Sequence, residues 1–391
     1  MALFVENVSF SVRVSLTSLR LFGFWPPENI SNHGKVWYNL YGFFSFMFML
    51  GTYIIIQVVD LILIWGDIAL MTATAFVLLT NLAQLTKLVN LKMKEQMIRN
   101  VISDADQILR SEEGDTSKEI VKQCSREMTL LQLLYIGLSA VTMTGWAASS
   151  ETNKLPLRAW YPYDSSKSPA YELTYMHQVS ALLVAAFLNI SKDTLVTALI
   201  AQCRCRLRLS SLALRELTSD LDIRGDVLTS EQGIIISTRL RNCVERHQKT
   251  LHAAQQLQTC FSEPTFVQFT VSLVIICVTA FQLVSQVGNV VRLLSMTTYL
   301  LNMIFQVFLY CYQGNQLSEE SLAVSVAAYE SQWHSFSVTQ RRSLLIVMTR
   351  CRRAARITAG GFTVLSLASF MAIIKASYSL FTLLQQADEK K

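Results

Sequence analysis

Seven apolar stretches leave this chain few ways to fold. They run over 38–64, 66–89, 128–149, 175–201, 265–287, 293–313 and 357–384. As helix, about 20 such residues cross the hydrocarbon core of about 30 Å, and they bond every backbone N–H and C=O within the segment. The basic residues between the stretches alternate in density. With a cytoplasmic N-terminus, the inner segments hold Arg13, Arg20 and Lys35, eight basic residues from Lys87 to Arg126, nine from Arg204 to Lys249, and six from Arg341 to Arg356. The outer segments hold Lys154, Arg158, Lys167, Arg292, Lys390 and Lys391, a split of 26 against 6. The positive-inside rule therefore predicts residues 1–36 on the cytoplasmic side and an extracellular C-terminus. The expected fold class is an all-α membrane protein with seven transmembrane helices.

The composition fits that class, with 51% hydrophobic and 16% charged residues. The net charge of +6 sits in the inner loops, as membrane topology alone produces, so nucleic acid is not an expected partner. Arg13 and Arg20 interrupt the early apolar run, so the first span rather than a cleaved signal is expected to start insertion. Of the eight cysteines, Cys124, Cys203, Cys205, Cys243 and Cys351 fall in or beside inner segments, and Cys260, Cys277 and Cys311 lie in or near spans. None is in an outer loop, so reduced structural thiols are expected rather than a disulfide framework. The acceptor patterns at Asn7, Asn29 and Asn189 lie on the cytoplasmic side or within a span and are expected to stay unglycosylated.

Outer connections are short except for residues 150–174, whereas inner ones are long and read as helix. Residues 90–126 alternate charged and apolar residues. Residues 203–222 and 231–260 repeat apolar positions three and four apart, as in Leu207, Leu209, Leu212 and Leu214, then Ile234, Ile235, Leu240, Val244, Leu251 and Leu257, and 316–333 and 340–356 continue the pattern. Asp222 to Asp226 reads as a turn between two such helices. Spans 4 to 7 are thus expected to continue into a second, helical cytoplasmic layer. The division is 1–36 cytoplasmic, 37–202 spans 1–4, 203–260 inner helices, 261–314 spans 5 and 6, 315–356 inner helices, and 357–391 span 7 with the C-terminus.

No catalytic or metal-binding constellation stands out. The five histidines are scattered, and there is no phosphate loop, HExxH or Gly-x-Ser-x-Gly motif. An enzyme, a metal and a cofactor are therefore not expected. Charged residues within spans are costly and direct attention to themselves. Asp60 should reach the outer interface, Lys192 should snorkel to the inner headgroups, and Lys375 lies in the outer half of span 7. On a helical wheel Ser377, Phe381 and Leu384 share one face, with Lys375 roughly opposite.

Several segments resemble the insect odorant receptor family, and together they cover nearly the whole chain. They are Leu21-Phe22-Gly23-Phe24-Trp25-Pro26-Pro27, the Pro- and aromatic-rich stretch Leu155 to Asp164, Tyr310-Cys311-Tyr312-Gln313-Gly314-Asn315, and Ala327-Ala328-Tyr329-Glu330 followed by Trp333. The basic run Arg341–Arg356, Thr358-Ala359-Gly360-Gly361 and Ser377 to Leu384 complete the set. The resemblance implies a tetrameric, ligand-gated, non-selective cation channel in the plasma membrane of olfactory neurons, with an anchor layer formed by the inner extensions of spans 4–7. The inner loop 204–257 lacks the larger insertion of the family's shared coreceptor, which implies a tuning subunit that needs coreceptor partners. The Ser377-Tyr378-Ser379 run departs from the ending of the related gustatory receptors, the alternative reading. A G-protein-coupled receptor is opposed by the charge bias, and a transporter by the lack of inverted repeats.

The resemblance also places a small apolar volatile in the outer half of the bundle. The matching positions are Met71, Ala75 and Phe76, then Thr142, Gly145 and Trp146, then Met176, His177 and Ser180, then Val278, Phe281 and Gln282. Trp146 and Phe281 are the expected anchors, because large aromatic surfaces dominate such pockets. Ser377, Leu380, Phe381 and Leu384 are the expected pore or gate residues, with Lys375 turned away from the ion path.

Overall fold

The structure, a computed structural model, describes residues 10–27, 30–66, 68–110, 112, 114–148, 155, 157–165, 167–221, 228–285 and 290–389. It is almost wholly helical. Helix α1 (Phe10–Leu21) is followed by the first span, built from α2 (Asn32–Phe46), a π-helical turn (Met47–Gly51) and α3 (Thr52–Leu63). Then come α4 (Ile68–Met93), α5 (Glu95–Arg110), α6 (Asp115–Ala148), α7 (Ala170–Arg215), α8 (Ser230–Ser285), α9 (Val290–Glu330), α10 (Val338–Cys351) and α11 (Leu367–Glu389). Seven of these helical segments are long and apolar enough to cross a membrane.

Local chemistry starts several of them. Ser31 caps α2 by accepting from the Gly34 N–H, and Ser337 with Gln340 forms a reciprocal capping box on α10. Polar inner residues do not interrupt α7, α8 or α9, which run for 46, 56 and 41 residues. Their apolar positions simply change partner, from neighbouring spans to α1, α5 and α10. A large cluster fills the basic end of the molecule, with Val12, Leu19, Ile98, Leu199, Leu207, Ile236, Val324 and Leu344 among its members. A second cluster fills the opposite end.

Two expectations, the start of the last span and Lys192, need correction, and Asp60 gains partners the sequence does not show. The seventh apolar stretch does not begin as helix at 357. Thr358–Ala359 (β1) pairs antiparallel with Thr363–Val364 (β2), and α11 starts only at Leu367. Gly360 and Gly361 take φ of +61° and +78°, backbone that side chains disfavour, and the Gly360 N–H donates to the Ser262 carbonyl at 2.9 Å. Gly314 of α9 permits the hairpin to dock, since a Cβ there would lie 2.6 Å from the Leu365 carbonyl oxygen. Asp60 does not simply end at the interface. It is buried, accepts from Thr74 Oγ1 at 2.8 Å and pairs with Arg158 at 3.1 Å, tying the first two spans to the long connection before α7. Lys192 does not snorkel. It is 3% exposed, and its Nζ donates to the Gln84 carbonyl at 3.0 Å. The turn at 222–226, the acceptor sites Asn7 and Asn29, and residues 390–391 lie outside the described residues.

Candidate functional site

At the end opposite the basic helices, three rings converge from three spans. Phe76 of α4 lies 6.1 Å from Trp146 of α6 and 5.4 Å from Tyr299 of α9, and the last two are 5.1 Å apart, centroid to centroid. These are the separations of tilted and edge-on aromatic contacts, each contributing about 0.5–1.5 kcal/mol beyond burial. Tyr53, Leu182, Val278, Met296 and Met303 close around them. The polar groups nearby bridge between helices. Tyr299 Oη and Thr80 Oγ1 are 2.7 Å apart, Thr142 Oγ1 donates to Thr298 Oγ1 at 3.2 Å, and Gln282 Nε2 donates to Thr72 Oγ1 at 2.5 Å. Gly145 brings α6 close to α9, because a Cβ there would lie 2.2 Å from Ser295 Oγ. The result is a packed aromatic and thioether cluster edged by a few hydroxyls, chemistry that matches an apolar ligand of limited hydrogen-bonding capacity.

The expected site residues divide three ways. Phe76, Trp146 and Val278 belong to this cluster, and Thr142, Phe281 and Gln282 are buried on the same helices. Met71 and Ala75 are half-buried on α4, with Met71 Sδ accepting from the Gly66 N–H. His177 and Ser180 instead meet the first span at its π-helical turn. His177 Nε2 is 3.0 Å from the Phe48 carbonyl, its ring is 5.4 Å from that of Phe48, and Ser180 Oγ donates to the His177 carbonyl at 2.9 Å. Met176 is 70% exposed and lies outside the cluster. Sequence reasoning passed over Tyr299, Met296 and Met303 of the sixth span. Their spacing of three and four puts them on one helix face, a signal the sequence did carry.

Between this cluster and the basic end lies a buried polar knot. Asp193 of α7 accepts from Lys87 Nζ at 2.6 Å, Tyr310 Oη at 2.8 Å, Tyr135 Oη at 3.1 Å and Gln306 Nε2. Four spans therefore converge on one carboxylate. The last helix is different. Along α11, Ile373 and Ser377 are buried against the chain's own bundle, Ser377 being 1% exposed, and Phe381 and Leu384 are half-buried on the same side. Lys375, Tyr378, Leu380 and Leu383 are exposed. The face expected to line a pore thus packs within the chain at Ser377, and the free face carries both Leu380 and Lys375. The cause is that α8 and α9 bury one stripe of α11, a partner choice the helical wheel does not contain.

A family model described as 7tm Odorant receptor matches residues 67–378. Odorant receptor 82a of Drosophila melanogaster is 27% identical over 258 residues, which are 65% of this chain and 64% of that relative. Odorant receptor 46a, isoform A, of the same organism is 25% identical over 80% of this chain and 81% of its own length. Odorant receptor Or1 of Anopheles gambiae is 23% identical over 96% and 95%. The solved structure of the olfactory receptor OR5 from Machilis hrabei in complex with eugenol superposes with a TM-score of 0.82 at 19% identity, covering 96% of this chain and 97% of that one.

Proposed function

Because the chain belongs to the insect odorant receptor family, a family of multi-pass membrane receptors rather than enzymes, we propose that it is the odorant-binding tuning subunit of a heterotetrameric, ligand-gated, non-selective cation channel. The ligand is a small, largely apolar volatile. The observation that carries this is the convergence of Phe76, Trp146 and Tyr299 from three spans, with Thr80 and Thr142 hydroxyls at its edge. A solved structure of the same fold holds eugenol, which supports a small-molecule site in such a bundle. Met71, Ala75, Gly145, Phe281 and Gln282 are the further wall on this reading. His177 and Ser180 belong to its rim beside the first span, and Met176 lies outside it.

On this reading the basic end is cytoplasmic and the C-terminus extracellular, which the charge split of 26 against 6 supports. Its helices, from 203–260 and 315–356, form the anchor layer through which this subunit meets coreceptor subunits. On the exposed side of α11, Leu380 faces the ion path and supplies an apolar ring that excludes water in the closed state, while Lys375, about 140° round the helix from it, turns aside. Ser377, Phe381 and Leu384 hold α11 to its own bundle instead.

The test is electrical. The chain is co-expressed with the coreceptor in a cell lacking other receptors, and current is recorded across a panel of volatiles. A ligand-dependent cation current that needs both chains is the expected result. Surface-expressed chains with no current to any volatile, or a current from this chain through a G protein, would count against it.

A further inference from the structure

The basic end holds a groove of about 570 Å³ between the end of α5 and the first turns of α6. Lys118, Lys122, Arg126 and Leu130 line it, spaced every four residues, so they form one row along α6. The row runs on to Leu134, and Leu130, Leu133 and Leu134 are all exposed. The row spirals by about 40° per step, so three cations give way within a few turns to bare leucines that lie about 60–160° round the helix from Lys118. Its charges are largely uncommitted. Lys118 and Arg126 have no ion-pair partner among the described residues, and Lys122 reaches only the exposed Glu119, at 3.9 Å. Among the described residues, the one carboxylate lining the groove, Glu112, is taken by Arg246. The Ser125 hydroxyl also faces the groove without a partner among the described residues.

We propose that this groove binds the phosphorylated headgroup of an anionic phospholipid of the inner leaflet. Lys118, Lys122 and Arg126 hold the phosphates, Ser125 donates a hydrogen bond, and the acyl chains lie along Leu130, Leu133 and Leu134. Charge complementarity fixes the headgroup class, and the change from cations to leucines fixes its source, because a soluble anion would have no use for the apolar half of the row. The inner-leaflet assignment rests on the orientation proposed above, while headgroup binding itself does not.

The experiment uses the full-length chain purified in detergent, with three probes: dioctanoyl phosphatidylinositol bisphosphate, its water-soluble inositol trisphosphate headgroup, and dioctanoyl phosphatidylcholine. The bisphosphate lipid should bind, its headgroup alone at least tenfold more weakly, and the choline lipid not detectably. Each basic residue near a phosphate contributes about fivefold in affinity, so the Lys118→Gln/Arg126→Gln double variant should bind about 25-fold more weakly. An Arg341→Gln/Arg342→Gln control, of equal charge change, should bind as the unaltered chain does. Equal affinity for lipid and free headgroup would show a soluble-anion site and overturn the proposal, as would a double variant that binds normally. If that variant does not fold, the unaltered chain still decides: lipid affinity that does not fall as salt rises refutes a charge-held headgroup. Thiol labelling of a Lys122→Cys variant in intact cells tests the leaflet separately. Labelling from outside would overturn the inner-leaflet assignment and the orientation, and leave micelle binding as the measure of the groove.

Discussion

Replacing Asp193 with Asn should be among the most damaging single changes in this chain. The carboxylate accepts from Lys87 at 2.6 Å, Tyr310 at 2.8 Å and Tyr135 at 3.1 Å, and also from Gln306. The Asn amide keeps one acceptor oxygen and turns an NH2 group toward side chains that are themselves donating. It also takes the carboxylate from the buried ammonium of Lys87, leaving it the neutral Asn189 Oδ1 at 3.3 Å, close to Lys192, which donates to the Gln84 carbonyl. Removing one partner of a buried ion pair costs about 3–5 kcal/mol, whereas removing both is far milder. The double variant Lys87→Met/Asp193→Asn should therefore be more stable than Asp193→Asn alone, with a coupling of about 2 kcal/mol. The assay is thermal denaturation of detergent-solubilised protein followed by size-exclusion chromatography. Asp193→Asn should lower the midpoint by on the order of 10 °C, and adding Lys87→Met should recover several degrees. If the double variant melts below Asp193→Asn by the full effect of Lys87→Met, the two side chains act independently and the ion-pair argument fails.

Trp146→Ala removes the ring that touches both Phe76 and Tyr299, so it should reorder ligand potencies by tenfold or more while leaving surface expression intact; dose–response curves check this. Leu380→Cys should react with a soluble thiol reagent faster during channel opening, and Ser377→Cys should not react in either state, since Ser377 is buried; current recording after labelling separates the two. His247 is buried beside Cys351, and burial, reinforced by Arg350, holds its pKa below the usual 6.5. A neutral histidine in the fold means that the unfolded chain takes up the proton first as pH falls through 6.5. Stability should thus be full above that pH and decline below it, and His247→Gln should flatten the decline in melting curves measured from pH 7.5 to 5.5.

The spans were legible because a bilayer selects on composition, and hydropathy needs no knowledge of neighbours. The helical inner extensions were legible for a related reason, since period-3.6 apolar stripes such as Leu207 and Leu214 require a partner somewhere. What periodicity omits is which partner. Lys192 looked like a snorkelling residue because the Gln84 carbonyl that holds it lies on a helix 108 residues away in sequence. Ser377 looked available to a pore because α8 and α9 cover its face only after the bundle forms. The start of the last span was misplaced because Ile357 to Leu365 is apolar enough to continue a helix, and two adjacent glycines turn it into a hairpin. In the ring cluster, Phe76 and Trp146 were readable as large aromatics at the right depth. Tyr299 was not weighed, although Met296 and Met303 mark its face. Helix α1 went unread, although Val12, Leu16 and Leu19 have helical spacing and bury against the core.

The unbroken helices α7, α8 and α9 also limit how a gene of this kind can change. Inserting or deleting one residue in a helix turns everything beyond it by about 100° and shifts it by 1.5 Å. In α8, such a change near Thr265 would leave one end in register and rotate the other off its partners, so that Ile236 and Leu240, or Ile275 and Val278, would face the wrong side. Both ends are packed, so only a π-helical turn such as Met47–Gly51 of the first span could absorb the extra residue, at the cost of disturbing the contacts around it. Length variation should therefore be confined to connections such as 150–169, 216–229 and 286–289, while α7, α8 and α9 diversify by substitution alone. Ligand preference in such a scaffold can drift residue by residue at one end without disturbing the other, but the distance between the two ends is not open to revision.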